Sequence, residues 1–332
     1  MSISGRPSMV VALDAMGGDH GPGATIPAAL DVVSNGDLAI ALVGDPQAIS
    51  DVLAEHSATN HPLLQVIPSD GVVEETDNPA MVFRSKPRAS IFVCSGLVKM
   101  GKAHAFVSMG STGASIAAAT VTYGTMEGIT RGCLGGAIIG FSPNTAIIDL
   151  GANIDVRPQQ LADFGTLGSV MSRIIYGQKN PRIALLNVGS EETKGNTLVK
   201  ETAELLTRSN LNYVGMIEPY DLPYDKADVV ICDGFVGNVV LKLTEGLGKA
   251  IADLVRDKGA GALADEIYSM TNQLATYGGG PLLGVNGIAV VGHGAAGSTG
   301  IATAIKTAKH VFDNDFVAAQ QKELDEFHTQ VS

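Results

Sequence analysis

The feature that most constrains this chain is a repeated alternation. Short apolar, β-branched runs are each followed by a small polar loop and then by a longer helical pattern. The runs are Met9–Leu13, Leu38–Val43, Leu64–Ile67, Ala105–Ser108, Thr145–Leu150, Arg182–Val188, Asp228–Cys232 and Ile288–Val291. Helical periodicity fills intervals between them, as in Thr112–Tyr123, Pro158–Tyr176, Asn196–Arg208, Val239–Asp257 and Ala295–Phe312. Strands alternating with helices make βαβ units and a parallel sheet. Most runs are apolar throughout instead of alternating, as strands covered on both faces require. The expected fold class is therefore α/β, a three-layer α/β/α sandwich with a mainly parallel sheet. One domain is expected over residues 9–312, with a helical excursion at about 239–277 and a C-terminal helix and tail over 313–332.

Six of these strands run into loops of small polar residues. They are Asp14-Ala-Met-Gly17-Gly18-Asp19-His20-Gly21, Gly110-Ser111-Thr112-Gly113, Gly151-Ala-Asn153, Gly189 to Asn196, Asp233-Gly234-Phe235-Val236-Gly237-Asn238 and Gly292-His293-Gly294. In an open parallel sheet such loops lie at the carboxyl ends of the strands, where ligands bind. Glycine lets backbone N–H groups approach an anion, and each following helix N-terminus adds free donors. One cleft with a phosphate site is the expectation. The plainer account, that these residues only make turns and cap helices, suffices for any single loop but not for six together.

Two lookalikes fail on chemistry. Gly292-His293-Gly294-Ala295-Ala296-Gly297 fits GxGxxG, but the acids about the right distance on, Asp313 and Asp315, end a helical region instead of a strand. At Gly189–Gly195, Lys194 precedes its glycine, and Glu191 and Glu192 would repel a triphosphate. Dinucleotide binding and nucleotide hydrolysis are both disfavoured. A net charge of −12 is the wrong sign for tracking nucleic-acid phosphates. Cys94, Cys133 and Cys232 fit no metal-ligand spacing and read as buried thiols. No apolar run approaches the ~20 residues of a membrane-spanning helix, and Met1–Ser8 lack the apolar stretch of a secretory leader. A cytoplasmic place is expected, with peripheral contact at the inner face of the membrane left open.

Taken in order, the loops resemble the phosphate acyltransferases of bacterial phospholipid synthesis, the PlsX family. The resemblance runs from about Val10 to His310 and rests on Leu13-Asp-Ala-Met-Gly-Gly-Asp-His20, Asp149-Leu-Gly-Ala-Asn153, Leu185-Leu-Asn-Val-Gly189, Lys194-Gly-Asn196, Asp233-Gly-Phe-Val-Gly-Asn238, Gly279-Gly-Pro-Leu-Leu-Gly284 and His293-Gly294. It implies a fold similar to isocitrate-dehydrogenase-like and phosphotransacetylase-like enzymes. The implied activity moves a fatty acyl group from an acyl-carrier-protein thioester to inorganic phosphate, giving acyl phosphate. The implied protein is a homodimer without a cofactor, with the downstream membrane glycerol-3-phosphate acyltransferase as a further partner. The family usually has Gly-Asn-Thr-Gly where this chain has Gly110-Ser-Thr-Gly113, and Arg-Pro at Arg131-Gly132. The segment between Glu245 and Gly279 is also shorter than in typical members.

Phosphate is already a partial dianion near neutral pH, so direct attack on a thioester needs positioning and charge stabilisation, with no covalent enzyme intermediate. Lys194 is the leading phosphate ligand, with Gly17, Gly18, Asp19, His20, Ser111, Thr112 and Asn196 around the anion. Asn153, Asn238 and His293 are candidates to hold the oxyanion, and His293 could instead protonate the departing thiolate. Asp14, Asp19 and Asp233 are expected to orient donors; a metal held by His20 and these aspartates ranks below the metal-free reading. The acidic carrier protein needs a basic patch, and Arg84, Lys86, Arg88, Lys99 and Lys102 are the densest group. Two apolar stripes, Val240, Leu243, Leu247, Ile251 and Leu254, then Leu263, Ile267, Met270 and Leu274, are expected to pack on the sheet or a partner subunit. The competing functions are a phosphotransacylase using acyl-CoA, a decarboxylating dehydrogenase of related fold and a non-catalytic scaffold of lipid synthesis.

Overall fold

The computed structural model describes residues 7–34, 36–74, 76–77, 81–274 and 278–331. Most of the N-terminal stretch read for a leader, and the last three residues of the 239–277 excursion, lie outside the described residues. In chain order the strands are β1 (Met9–Asp14), β2 (Leu38–Gly44), β3 (Leu64–Pro68), β4 (Ala105–Ser108), β5 (Cys133–Gly136), β6 (Ala146–Ile148), β7 (Ile183–Leu186), β8 (Tyr213–Ile217), β9 (Val229–Ile231), β10 (Gly280–Leu283) and β11 (Ile288–Val291). The α-helices are α1 (Pro22–Val33), α2 (Pro46–Glu55), α3 (Val82–Ser85), α4 (Ser90–Lys99), α5 (Thr112–Tyr123), α6 (Pro158–Tyr176), α7 (Thr197–Arg208), α8 (Gly234–Asp257), α9 (Gly261–Thr271), α10 (Ser298–Asp313) and α11 (Phe316–Val331). The chain divides into two compact units, Met1–Thr125 with Tyr277–Asn314, and Met126–Thr276 with Asp315–Ser332.

In the first unit the strands lie in the order β3-β2-β1-β4-β11-β10, with β10 antiparallel to β11 and the other pairs parallel. Every residue of β4 and β11 is buried. Successive strand side chains point to opposite faces, so helices must cover both. The pairs α1 with α10 and α4 with α5 provide that cover. From β1 the chain proceeds outward to β2 and β3, while β4 and β11 lie on the other side of β1. That reversal is the switch in strand order at which open parallel sheets leave a crevice.

The second unit orders its strands β5-β6-β9-β7-β8, with β5 antiparallel to β6 and the rest parallel. Strands β6, β7 and β9 are wholly buried. Helix α6 packs on β6, β9, α7 and α11. The C-terminal helix is held there by buried Leu324 and Phe327 and by His328 Nε2, 2.8 Å from Asp163 Oδ1.

The expected α/β class with a mainly parallel sheet is what the chain forms. The apolar runs are its parallel strands, with ends shifted by at most two residues, as in Ala146–Ile148 for 145–150. Three strands were not anticipated. Cys133-Leu-Gly-Gly136 and Gly280-Pro-Leu-Leu283 carry glycine and proline, which weaken the strand signal, and their pairing is imposed by neighbours. The β8 strand is interrupted by Gly215, at φ +101. Helix α8 begins at Gly234 instead of Val239 because Asp233 Oδ1 accepts from the Val236 amide at 2.8 Å. The glycines that read as loop form its first turn.

Candidate functional site

In the first unit, the loops after β1, β4 and β11 interlock at the switch in strand order. Asp14, at the end of β1, is 2% exposed. Its Oδ1 accepts from the amides of Met16 at 3.2 Å and Gly17 at 3.1 Å, and its Oδ2 from Ser108 Oγ at 2.7 Å. Burial pushes the Asp14 carboxyl above its ordinary range, opposed by these hydrogen bonds. Donors aimed at both oxygens suit the ionised, acceptor-only form. The Gly17 N–H is thereby engaged inside the loop. Gly17 serves by its size, since a Cβ there would stand 2.8 Å from both Asp14 Oδ2 and the Gly110 nitrogen.

Gly18, at φ +84, leaves no room for a side chain: a Cβ would lie 2.9 Å from Met109 Cβ. The Asp19 amide donates to the Gly294 carbonyl at 2.9 Å, joining the first loop to the one after β11. Asp19 and His20 are exposed. Ser111 caps α5, its Oγ accepting from the Ala114 amide at 3.4 Å. That cap uses a lone pair and leaves the hydroxyl hydrogen able to donate. Exposed Thr112 opens the same helix, where free amides and the helix dipole favour an anion. His293 Nδ1 accepts from the Ala295 amide at 3.2 Å. In the neutral ring this puts the proton on Nε2, making that nitrogen the donor.

In the second unit, Asp149 is fully buried beyond β6. Its Oδ1 accepts from the amides of Leu134 (3.1 Å), Gly151 (3.2 Å) and Ala152 (3.1 Å). Its Oδ2 accepts from the Asn153 amide (2.6 Å) and from Asn153 Nδ2 (2.9 Å). Burial pushes this carboxyl up as well, against those bonds. Asn153 Nδ2 also donates to the Gly132 carbonyl at 3.0 Å, and its Oδ1 accepts from Gln160 Nε2 at 3.1 Å. Both amide hydrogens are therefore committed, so Asn153 shapes the loop and has no hydrogen left for an oxyanion.

The Gly234 amide donates to the Asn153 carbonyl at 2.7 Å, fixing the start of α8 on this loop. A Cβ on Gly237 would overlap the Asp149 carbonyl oxygen, which explains a glycine inside the first turn. Asp233 caps α8 and, as a carboxylate, offers no hydrogen. Asn238 is exposed one turn into the helix, beside Gly151, whose Cβ would lie 3.5 Å from Asn238 Cβ. After β7, Asn187 Nδ2 donates to the Gly189 carbonyl at 2.9 Å. Gly195 passes so close that a Cβ would stand 2.5 Å from Asn187 Oδ1. This fold of the loop presents Lys194, which is exposed and, among the described residues, forms no ion pair with a carboxylate. Asn196 caps α7 through Oδ1 to the Val199 amide at 3.0 Å, leaving its amide nitrogen as a donor.

Of the basic group in the first unit, Arg84, Arg88, Lys99 and Lys102 are exposed. Lys86 is taken by Asp77, 2.6 Å away, and by the Val72 carbonyl. Exposed Met81, Phe83 and Met100 flank these residues in sequence. In the second unit Val240 of the α8 stripe packs against the core, whereas Leu243, Leu247, Ile251 and Leu254 are 49–60% exposed. Three residues that organise these loops, Ser108, Asp149 and Asn187, were not singled out as site residues. Their signal was position, a short polar side chain at or just beyond a strand end and directly ahead of glycines.

The sequence model of a family described as fatty acid synthesis protein matches residues 9–319. The chain is 39% identical to the phosphate acyltransferase of Heliobacterium modesticaldum, over 95% of this chain and 98% of that one. It is 40% identical to the phosphate acyltransferase of Desulfitobacterium hafniense, over 96% and 98%. Among solved structures it is similar to a phosphotransacetylase from Streptococcus pyogenes, with TM-score 0.57, 17% identity and coverage of 95% and 94%. At that identity the likeness speaks for the fold alone.

Proposed function

We propose, from the premise that this chain belongs to the fatty acid synthesis protein family and is an acyltransferase, that it transfers a fatty acyl group from an acyl-carrier-protein thioester to inorganic phosphate. The observation that carries the reading is near full-length identity of 39–40% to proteins named phosphate acyltransferase. A phosphate oxygen attacks the thioester carbon and forms the new C–O bond, and the carbonyl electrons move onto oxygen. Collapse of that oxyanion breaks the C–S bond, and the carrier's thiolate leaves and takes a proton. Atoms and charge balance without an oxidant, a reductant or an acyl-enzyme.

Residue roles follow from what each side chain has left to give. In the first unit, Ser111, Thr112, Gly18 and the exposed Asp19–His20 turn are assigned to phosphate. His293 is assigned, by its place in the loop after β11, to the oxyanion or the leaving thiolate. In the second unit, Lys194 and Asn196 are assigned to phosphate charge and Asn238 to the oxyanion, with Asn153 and Asp233 holding the loops. A lysine just ahead of a helix N-terminus is disfavoured unless an anion offsets it, which supports Lys194 as a ligand.

The carrier protein is assigned to Arg84, Arg88, Lys99 and Lys102. A homodimer is part of the proposal, and the exposed apolar face of α8 supports it. The product is a mixed anhydride, a donor suited to the membrane glycerol-3-phosphate acyltransferase of phospholipid synthesis. Among the described residues no helix is long and apolar enough to cross a membrane, and a cytoplasmic place is proposed. The test is to incubate long-chain acyl-carrier protein with phosphate and trap the product with hydroxylamine. Phosphate-dependent acyl hydroxamate is expected; none, or product from acyl-CoA only, refutes the reading.

A further inference from the structure

We propose that Ser108 is a positioning residue for phosphate, its hydroxyl tying the loops after β1 and β4 into one cradle. The proposal rests on reading the chain as an acyl-to-phosphate transferase. Ser108 is wholly buried at the end of β4. Its Oγ donates to Asp14 Oδ2 at 2.7 Å and accepts from the Gly110 amide at 3.0 Å. Its backbone carbonyl accepts from the Gly292 amide at 2.9 Å. One residue thus touches all three loops at the switch in strand order.

The direction of these bonds is fixed by chemistry. An ionised carboxylate can only accept, so the single hydroxyl hydrogen goes to Asp14, and the oxygen must accept from Gly110. The Gly17 amide meets the other oxygen of the same carboxylate at 3.1 Å. The two loops are therefore pinned to one Asp14–Ser108 pair at Gly17 and Gly110. They run so close that a Cβ on Gly110 would sit 3.6 Å from Gly17 Cα and 3.2 Å from Ser108 Oγ. The residues assigned to phosphate, Gly18 and Ser111, each follow a pinned glycine directly. Without the hydroxyl, the part-buried Gly110 N–H and the buried Asp14 carboxylate each lose a hydrogen bond, and the tie between the two loops is loosened.

The test is steady-state kinetics of the full chain with long-chain acyl-carrier protein and varied phosphate. Ser108→Ala is expected to raise the phosphate KM roughly tenfold, the factor one ordinary hydrogen bond commands. The KM for the acyl donor should stay within about twofold, because the two loops tied by the hydroxyl carry residues assigned to phosphate, and the backbone bond to the loop after β11 is untouched by the substitution. Ser108→Thr, which keeps the hydroxyl, should recover most of the loss. An unshifted phosphate KM in Ser108→Ala, or an equal rise in both KM values that threonine does not mend, overturns the proposal. If Ser108→Ala does not fold, Ser108→Cys, which keeps the shape with a weak donor, carries the same expectation and refutation. Wild-type protein that forms no trappable acyl phosphate fails the underlying reading instead. Wild-type product with an unshifted variant fails this proposal alone.

Discussion

Replacing Asn153 by aspartate exchanges an NH2 for an oxygen where the fold has already placed a carboxylate. Asn153 Nδ2 lies 2.9 Å from Asp149 Oδ2 and 3.0 Å from the Gly132 carbonyl, and the two side chains belong to residues 4% and 0% exposed. In Asn153→Ala the cost is the lost bonds, about 2 kcal/mol for the one to a carboxylate and about 1 kcal/mol each for the one to the Gly132 carbonyl and the one from Gln160 Nε2. In Asn153→Asp the new oxygen faces two acceptors with no hydrogen between, so the pair must take up a proton. Burial already pushes Asp149 up, and a second carboxylate pushes the shared proton's pKa further. A pKa raised on folding gives stability that is complete below the unfolded value and is lost as pH rises through the folded one. Holding that proton at pH 7 against an unfolded value near 3.9 costs about 4 kcal/mol. Asn153→Asp should therefore approach Asn153→Ala in stability near pH 4 and fall well below it by pH 7. Thermal unfolding of both variants and the wild type across that range checks this. Parallel pH profiles for the two variants would refute the view that Asn153 is a donor to a buried carboxylate.

Lys194→Ala should raise the phosphate requirement and lower turnover, costing about 2–4 kcal/mol of transition-state stabilisation as for other charge-stabilising donors; an unchanged rate at limiting phosphate removes Lys194 from the site. Burial pushes the thiols of Cys94, Cys133 and Cys232 up, so native protein at pH 8 should resist a disulfide thiol reagent and release three equivalents only on unfolding. With acyl-carrier protein and no phosphate, mass spectrometry should find no acyl adduct, and a stoichiometric adduct on a cysteine or serine refutes direct transfer. Arg84→Glu with Arg88→Glu should raise the KM for acyl-carrier protein at low ionic strength and leave the phosphate KM in place; an unchanged carrier KM withdraws the docking assignment. Lys86 is a poor choice for that experiment, because Asp77 already holds it.

How much of this was legible in the sequence depends on whether a signal was local. Strands such as Ala105–Ser108 and Ile288–Val291, and helices such as Thr112–Tyr123 and Pro158–Tyr176, occur at the residues where periodicity placed them. Each combines an unbroken apolar run or a 3.6-residue stripe with a cap or a glycine stop. The Cys133–Gly136 and Gly280–Leu283 strands were not legible, because their pairing comes from neighbours and their composition argues against it. The first turn of α8 was hidden for a related reason. Glycine at 234 and 237 is required by the approach of the Asn153 and Asp149 backbones, a demand that arises only after folding.

For the loops, the sequence marked the right residue types at strand ends, but it could not say which hydrogen each side chain would have left. Ser111 and Asn196 spend an acceptor on capping and keep donors, whereas Asn153 spends every amide hydrogen inside its own loop. The difference comes from where the buried carboxylates sit. Asp14 and Asp149 occupy the same place in their units, just at or beyond a strand end, and each gathers loop amides onto itself. A carboxylate beside an anion site would repel phosphate if its charge faced the ligand. Here the oxygens face backbone N–H groups, Ser108 and Asn153, which spread that charge into the loop. The carboxylates therefore act as anchors for the glycine turns, and in the first unit the proposed phosphate residues Gly18 and Ser111 stand one position beyond the pinned Gly17 and Gly110.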